Sequence, residues 1–181
     1  GDWSSDVCSS DLLNNHLIDL GHQPPSNAYL TKDELELPEK NYPLKVYVCT
    51  KCWLVQLPAH NTSEELFTSD YAYFSSTSES WCQHAKIFVD RAISRLGLGI
   101  KSNVIEIASN DGYLLQYMKQ RQIPCLGIEP THKTAEAARK KGIETVEQFF
   151  NTELASKLPS ADLVIANNVL AHVPDIRDFI K

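Results

Sequence analysis

No apolar run in this 181-residue chain approaches the roughly 18 residues a membrane-spanning helix needs, so no such span organises it. Basic residues are in deficit. Seventeen Lys and Arg face 23 Asp and Glu, a net charge of -6, and that balance argues against a nucleic-acid partner. Glycine is scarce, with seven in the chain and none spaced as G-x-G-x-x-G. The five cysteines include one close pair, Cys49 and Cys52, which looks like a metal half-site rather than a disulfide framework. What remains is a globular composition, 43% hydrophobic and 22% charged. The length allows about one ordinary domain, or one small domain and part of a larger one.

The chain is organised around residues 104–112, VIEIASNDG. Val104, Ile105 and Ile107 read as a buried strand. Ser109, Asn110, Asp111 and Gly112 then form a sharp turn. A helix follows over about Gly112–Arg121, with Leu114, Leu115 and Met118 on one face, the apolar stripe reaching Ile123. Further strands are expected at Cys125–Ile128, Glu144–Val146 and Leu163–Ala166. Helices are expected at Lys133–Lys141, ended by Gly142, and from Asn151 to Lys157. This alternation is a parallel α/β sheet.

Ligands of such sheets sit at the carboxyl ends of the strands. Glu129 ends the second strand about twenty residues after the first turn, where a carboxylate accepts both hydroxyls of a ribose. An Asp or Glu here serves NAD equally. The turn discriminates. Pyrophosphate needs the glycine-rich turn at a helix N-terminus, whereas A-S-N-D-G offers one glycine and a carboxylate. S-adenosylmethionine carries a sulfonium and an ammonium and no phosphate, so the methyl donor is preferred over NAD. In AHVPD, His172 either fills the sheet edge or acts as a base where the fourth strand opens onto the crevice. Asn167 and Asn168 either hold the ligand or satisfy the loop backbone.

Ahead of this sheet, Gly21, Pro24 and Pro25 break the first part of residues 13–48, LNNHLIDLGHQPPSNAYL, into loop or short extended pieces. Tyr42–Val48 and Trp53–Leu57 read as a hairpin whose turn is pinned by Cys49 and Cys52. Two thiolates separated by two residues can chelate one Zn²⁺ at a turn, but a structural site takes four ligands. The pair is therefore half a zinc site or two incidental thiols. Residues 58–81 pack Phe67, Tyr71, Tyr73, Phe74 and Trp81 among hydroxyls, with a short helix expected after Thr62 or Ser63. Such a stretch suits a sugar, or plugs a core between domains. Trp81–Leu96 reads as a helix with Ala85, Phe88, Val89, Ala92 and Leu96 on its buried stripe.

Both ends are expected to be artificial. GDWSSDVCSSDL resembles a translated sequencing-library adapter, and the helix opening at about Asp175 stops after barely two turns. On that reading Cys8 is no ligand, and loss of Asp2, Asp6 and Asp11 moves the net charge from -6 to -3. The expected divisions are 1–12 as artefact, 13–80 as a partial zinc-binding domain with the aromatic loop, and 81–181 as a partial donor-binding domain. The cysteine usage fits a cytoplasmic protein.

LGHQPPSNAYL, YPLKVYVCTKCWLVQL, DYAYFSSTSESW, EIASNDGYLL, LGIEPT and ANNVLAHVPD follow one another over residues 17–181. In these stretches the chain resembles the S-adenosylmethionine-dependent C-methyltransferases that act on nucleotide-linked deoxysugars. The resemblance implies an α/β class I methyltransferase fold, a Rossmann-like parallel sheet here cut short, preceded by a small zinc-binding domain. It makes Cys49 and Cys52 the second pair of a four-cysteine structural zinc site. It assigns Glu106, Ala108, Ser109, Asn110 and Gly112 to the donor's amino-acid part and Glu129 to its ribose. Asn168 and His172 fall beside the methyl group and the sugar. Tyr71, Tyr73, Phe74 and Ser75 reach over the active site, with Tyr73 or His172 helping catalysis. The main base, a His beside a Glu, falls after Lys181. The implied partner is a small keto-deoxysugar on a nucleotide, whose α proton is removed so that the resulting enolate carbon attacks the methyl group. Trp53 departs from the family, where Gly often follows CxxC and eases the turn. The 181-residue polypeptide itself is expected to fold poorly and be inactive.

Overall fold

The computed structural model describes residues 13–181 apart from 59, 61, 63–65, 68–70, 72 and 174. Two compact units result. One holds the described residues through Leu66 together with Val173–Ile180, and the other holds Phe67–His172. The stretch Phe67–Ser80, grouped from sequence with the zinc-binding region, thus belongs to the same unit as the parallel sheet. Residues 1–12 and the helix expected over 63–65 lie outside the described residues.

The first unit is a three-stranded antiparallel sheet, β1 (Asn15–Gln23), β2 (Tyr42–Val48) and β3 (Val55–Gln56), in that order. The expected fragmentation around Gly21 does not occur. Gly21 is absorbed at a register shift between Asp19 and His22, with φ +72° and its N–H donating to Asp19 Oδ1 at 3.0 Å. A bulge takes one residue out of the ladder without ending the strand. Asp19 lies opposite Lys45, and the two form an ion pair at 3.4 Å. The hairpin of β2 and β3 forms as expected, closed by Cys49 N–H to Leu54 O at 2.9 Å and Trp53 N–H to Cys49 O at 3.1 Å.

The second unit contains β4 (Val104–Ile107), β5 (Cys125–Ile128), β6 (Glu144–Val146) and β7 (Leu163–Ile165). All pair in parallel, in the order β6-β5-β4-β7. The helices α1 (Glu79–Leu96), α2 (Leu115–Gln120), α3 (His132–Lys140) and α4 (Thr152–Ala155) accompany the strands in sequence, and α5 (Ile176–Ile180) belongs to the first unit. The chain winds outward from β4 through β5 to β6 and then returns to the other side of β4. That reversal opens a crevice at the carboxyl ends of β4 and β7.

Local signals explain these elements. Ser78 caps α1 by accepting Trp81 N–H, and Gly97 ends it in the left-handed region at φ +65°. The helix buries Ala85 and Val89 and packs Trp81, Cys82 and Ile93 against the core. Phe88 and Leu96, expected on that stripe, are exposed. The buried face is rotated toward Trp81–Ala85–Val89 because α2 supplies the facing surface. Asn151 Oδ1 caps α4 through Leu154 N–H at 2.8 Å. The α4 helix, Thr152–Ala155, ends two residues before the expected Lys157 and relaxes into tighter bonds such as Lys157 N–H to Leu154 O. Leu114, Leu115, Met118 and Val104 form the centre of the core, all at most 1% exposed. Each such side chain contributes about 1.5–3 kcal/mol by leaving water.

Gly112 is the tightest point. Its φ is +73°, and a Cβ there would lie 2.3 Å from Ile143 Cδ1. Gly112→Ala combines left-handed strain with overpacking and should lower the unfolding free energy by about 2–4 kcal/mol. Ala108→Gly, at φ +53° in the same turn, should stay within about 1 kcal/mol of the parent. Urea denaturation of both variants checks this, and equal losses would contradict it.

Candidate functional site

The sharp turn after β4 uses left-handed backbone at alternate residues, with φ +53° at Ala108, +51° at Asn110 and +73° at Gly112. The chain therefore adopts a conformation for which glycine is the easiest residue, while supplying glycine only at the third position. Asn tolerates that region better than most side chains. Ser109 N–H donates to Ile128 O at 3.1 Å and ties the turn to the end of β5. The turn passes over Gly127, where a Cβ would lie 2.4 Å from Ser109 Oγ.

Three carboxylates converge here. Glu106 is 1% exposed, Asp111 2% and Glu129 4%. Glu129 Oε2 accepts Asn110 N–H at 2.9 Å, and its Oε1 accepts Thr131 N–H at 3.0 Å and the Thr131 hydroxyl. A carboxylate has about four acceptor positions, so one remains on Glu129. Asp111 Oδ2 accepts the Ser76 hydroxyl and pairs with Lys141 Nζ at 3.1 Å. Lys141 also donates to Asp111 O at 2.8 Å. Asp111 is thus not the lone charge facing a ligand that its position beside Gly112 suggested. The repulsion of a pyrophosphate rests on the Glu129 carboxylate instead. Among the described residues, Glu106 Oε2, Asp111 Oδ1 and Ser109 Oγ are buried without hydrogen-bond partners. Buried acceptors left in this state call for a donor. An ammonium or a hydroxyl-bearing ligand meets that need, and an anion does not.

Burial, then the charges of Glu129 and Asp111, push the Glu106 carboxyl well above the ordinary glutamate range. Tyr113, next to the turn, is 5% exposed. Burial, then the neighbouring Glu106 charge, push its phenol up to about 12, opposed by hydrogen bonding from Asn167 and Trp81. Tyr113 stacks on Trp81 at a ring separation of 6.0 Å.

The structure brings together most of the residues expected at the donor site. Glu106, Ala108, Ser109, Asn110, Gly112 and Glu129 surround one turn, and Asn110 extends the group to Tyr73 by donating to its carbonyl at 3.0 Å. Asn168 lies in an exposed turn after β7 at φ +54°. His172 ends a 3₁₀ turn, Leu170–His172, and lies edge-on to Phe67 at 6.0 Å, with Phe67 edge-on to Tyr71 at 5.3 Å. Tyr113, Thr131 and Lys141 went unnoticed in the sequence. Thr131 was detectable, because a Thr two residues after Glu129 can reach back with both N–H and hydroxyl. Lys141 was legible only as the end of α3, and Tyr113 only as the residue after a turn glycine.

In the other unit, Cys49 is buried and its Sγ accepts Lys51 N–H at 3.3 Å and Cys52 N–H at 3.5 Å. Among the described residues no group of three or more His, Cys, Asp or Glu gathers around a common point. Trp53 sits at φ +64° with its indole 73% exposed. That is the conformation glycine would adopt without strain, so Trp53 bears backbone strain at the position where Gly often stands.

Two family models match the chain. One is described as "Putative zinc binding domain" and covers residues 6–67. The other is described as a methyltransferase domain and covers residues 81–181. The C-methyltransferase NovU of Streptomyces niveus is 29% identical over 169 residues, 91% of this chain and 40% of that protein. The chain thus spans well under half of that relative. Among solved structures, the YcgJ protein of Bacillus subtilis aligns over 54% of this chain and 43% of its own at 20% identity, TM-score 0.41. Magnesium protoporphyrin IX methyltransferase of Synechocystis PCC 6803 aligns over 60% and 55% at 19% identity, TM-score 0.40.

The Glu106 shift has a definite sign. Below the ordinary glutamate range, folded and unfolded chains both hold the proton and nothing is lost. As pH rises through that range the unfolded chain releases its proton while folded Glu106 keeps it, so stability falls until the folded group ionises too. Glu106→Gln removes this loss. Its stability advantage over the parent should therefore grow as pH rises above the ordinary glutamate range, for as long as folded Glu106 keeps its proton. Urea midpoints across that interval test it, and parallel profiles for the two proteins would sink it.

Proposed function

The chain belongs to the methyltransferase-domain family, and from that premise we propose that it takes part in S-adenosylmethionine-dependent methylation of a carbon beside a keto group in a nucleotide-linked deoxysugar. The observation that carries the donor assignment is the turn after β4, where buried carboxylate oxygens of Glu106 and Asp111 lack donors. S-adenosylmethionine, when bound, supplies a methyl group activated by a sulfonium. The chain's own residues do the holding. The open acceptor position of Glu129 takes a ribose hydroxyl, and Glu106 takes hydrogens of the ammonium. The left-handed backbone at Ala108 and Asn110 brings the ligand close to the peptide groups. Tyr113, protonated throughout the neutral range, offers a hydrogen-bond donor beside Glu106.

The acceptor side of the proposal rests on other observations. The relative from Streptomyces niveus is named a C-methyltransferase, and the sugar comes from the order of the sequence stretches over residues 17–181. The half-exposed Tyr73 lies against the donor turn through its carbonyl and offers a ring and a hydroxyl to an acceptor. His172 stands ready to accept or relay a proton at the end of the β7 connection. No metal is required for transfer from a sulfonium, so zinc held by Cys49 and Cys52 is structural. The surroundings of a reacting carbon must hold it about 3–3.5 Å from the methyl group and exclude water.

Titration calorimetry with S-adenosylhomocysteine is the direct test of the donor site. Binding is expected, and Glu129→Ala should weaken it by about 10–100-fold, the loss of hydrogen bonds to a charged group. NAD should not bind. When the full-length protein is given a ¹³C-methyl donor and a nucleotide-linked keto-deoxysugar, the product spectrum should show a carbon-bound methyl. A methyl on oxygen or nitrogen would move the chain to methylation of another small metabolite.

A further inference from the structure

Asn110 spends its whole side chain on one short segment. Its Oδ1 accepts Ser75 N–H at 2.9 Å, and its Nδ2 donates to Tyr73 O at 3.0 Å. One residue on, Asp111 Oδ2 accepts the Ser76 hydroxyl. These bonds join residues 35 or more positions apart in sequence. They hold the 3₁₀ turn Ser75–Thr77, with Ser75 itself buried, against the donor turn. The backbone of the same Asn110 donates to Glu129 Oε2 at 2.9 Å. One residue therefore links the carboxylate assigned to the ribose with the segment that carries Tyr73.

The choice of Asn at this position needs a reason. The backbone is left-handed, φ +51°, and glycine would adopt it without strain. Asn costs less there than other side chains but more than glycine. What glycine lacks is a group able to accept from one backbone N–H and donate to a carbonyl two residues earlier. We propose that Asn110 is a positioning residue that couples the donor site to the acceptor wall: ordering of the donor turn by a bound ligand is transmitted through its carboxamide to Tyr73–Ser76. The coupling half of this inference rests on the donor assignment above, and the clasp itself does not. Coupling between sites is reciprocal. The clasp therefore also keeps the Asn110 N–H aimed at Glu129 before the ligand arrives.

Asn110→Gly isolates the effect, because it keeps the left-handed backbone and the N–H to Glu129 while deleting the carboxamide. Hydrogen exchange by mass spectrometry, on peptides covering Tyr73–Thr77, gives a readout independent of activity. Without ligand, the segment should exchange about tenfold faster in the variant, the effect of roughly one net hydrogen bond. Ser76→Ala, which loosens the clasp from the opposite side, should act in the same direction. With saturating S-adenosylhomocysteine, exchange should slow in the parent segment and stay unchanged in Asn110→Gly. Its affinity for the ligand should fall by only about 2–5-fold, well short of Glu129→Ala. Equal exchange in parent and variant without ligand would overturn the clasp. Equal slowing by the ligand in both proteins would overturn the coupling. If the parent binds no S-adenosylhomocysteine, the donor assignment and the coupling fail together, while the ligand-free comparison still decides the clasp.

Discussion

Buried carboxylate charge is the constraint on which the carboxyl edge of this sheet depends. Glu106, Asp111 and Glu129 are each nearly inaccessible, and each would be costly to bury alone. The chain answers with three different devices. Asp111 receives a cation and a hydroxyl, from Lys141 and Ser76. Glu129 receives two backbone N–H groups and a hydroxyl. Glu106 instead holds its proton to higher pH. The result, among the described residues, is a site with acceptors to spare whose cation, Lys141, is already engaged with Asp111. That electrostatic character selects for ligands rich in donors and positive charge before any detailed shape is considered.

The turn that carries this cluster shows how backbone and side chain divide the work. Alternating left-handed residues fold the chain tightly from β4 toward α2, and Gly112 fits because Ile143 and Ala138 leave no room for a Cβ. Ala108 and Asn110 accept strain that glycine would avoid. At Asn110 the return is visible in the bonds to Tyr73 and Ser75. At Ala108 nothing in the structure explains why alanine rather than glycine occupies the position. The zinc-binding side repeats the theme at Trp53, another non-glycine residue in the left-handed region after a tight turn.

Much of the fold was legible because it rests on local patterns. β2, β5 and β6 fall where the apolar runs placed them, and Ser78, Gly97, Gly142 and Asn151 mark helix ends through caps that act over a few residues. β1 was not legible, because Gly21 reads as a breaker unless a partner strand absorbs it as a bulge. The buried stripe of α1 was displaced from Phe88 and Leu96 toward Trp81 for a related reason: periodicity defines a stripe, and only the neighbouring helix decides its edges.

The candidate site divides along the same line. Glu106, the 108–112 turn and Glu129 were identifiable because strand ends and their spacing along the chain put them at one edge of a parallel sheet. The sequence by itself therefore determined the sheet, its order of elements and the acidic character of its ligand edge. Tertiary structure alone decided how that acidity is shared. Lys141 reaches Asp111 from 30 residues away, Ser76 reaches it from 35, and Asn110 turns its side chain to Tyr73 rather than to the crevice. Those partners are set by packing between elements distant in sequence, and no periodicity or local spacing encodes which side chain meets which.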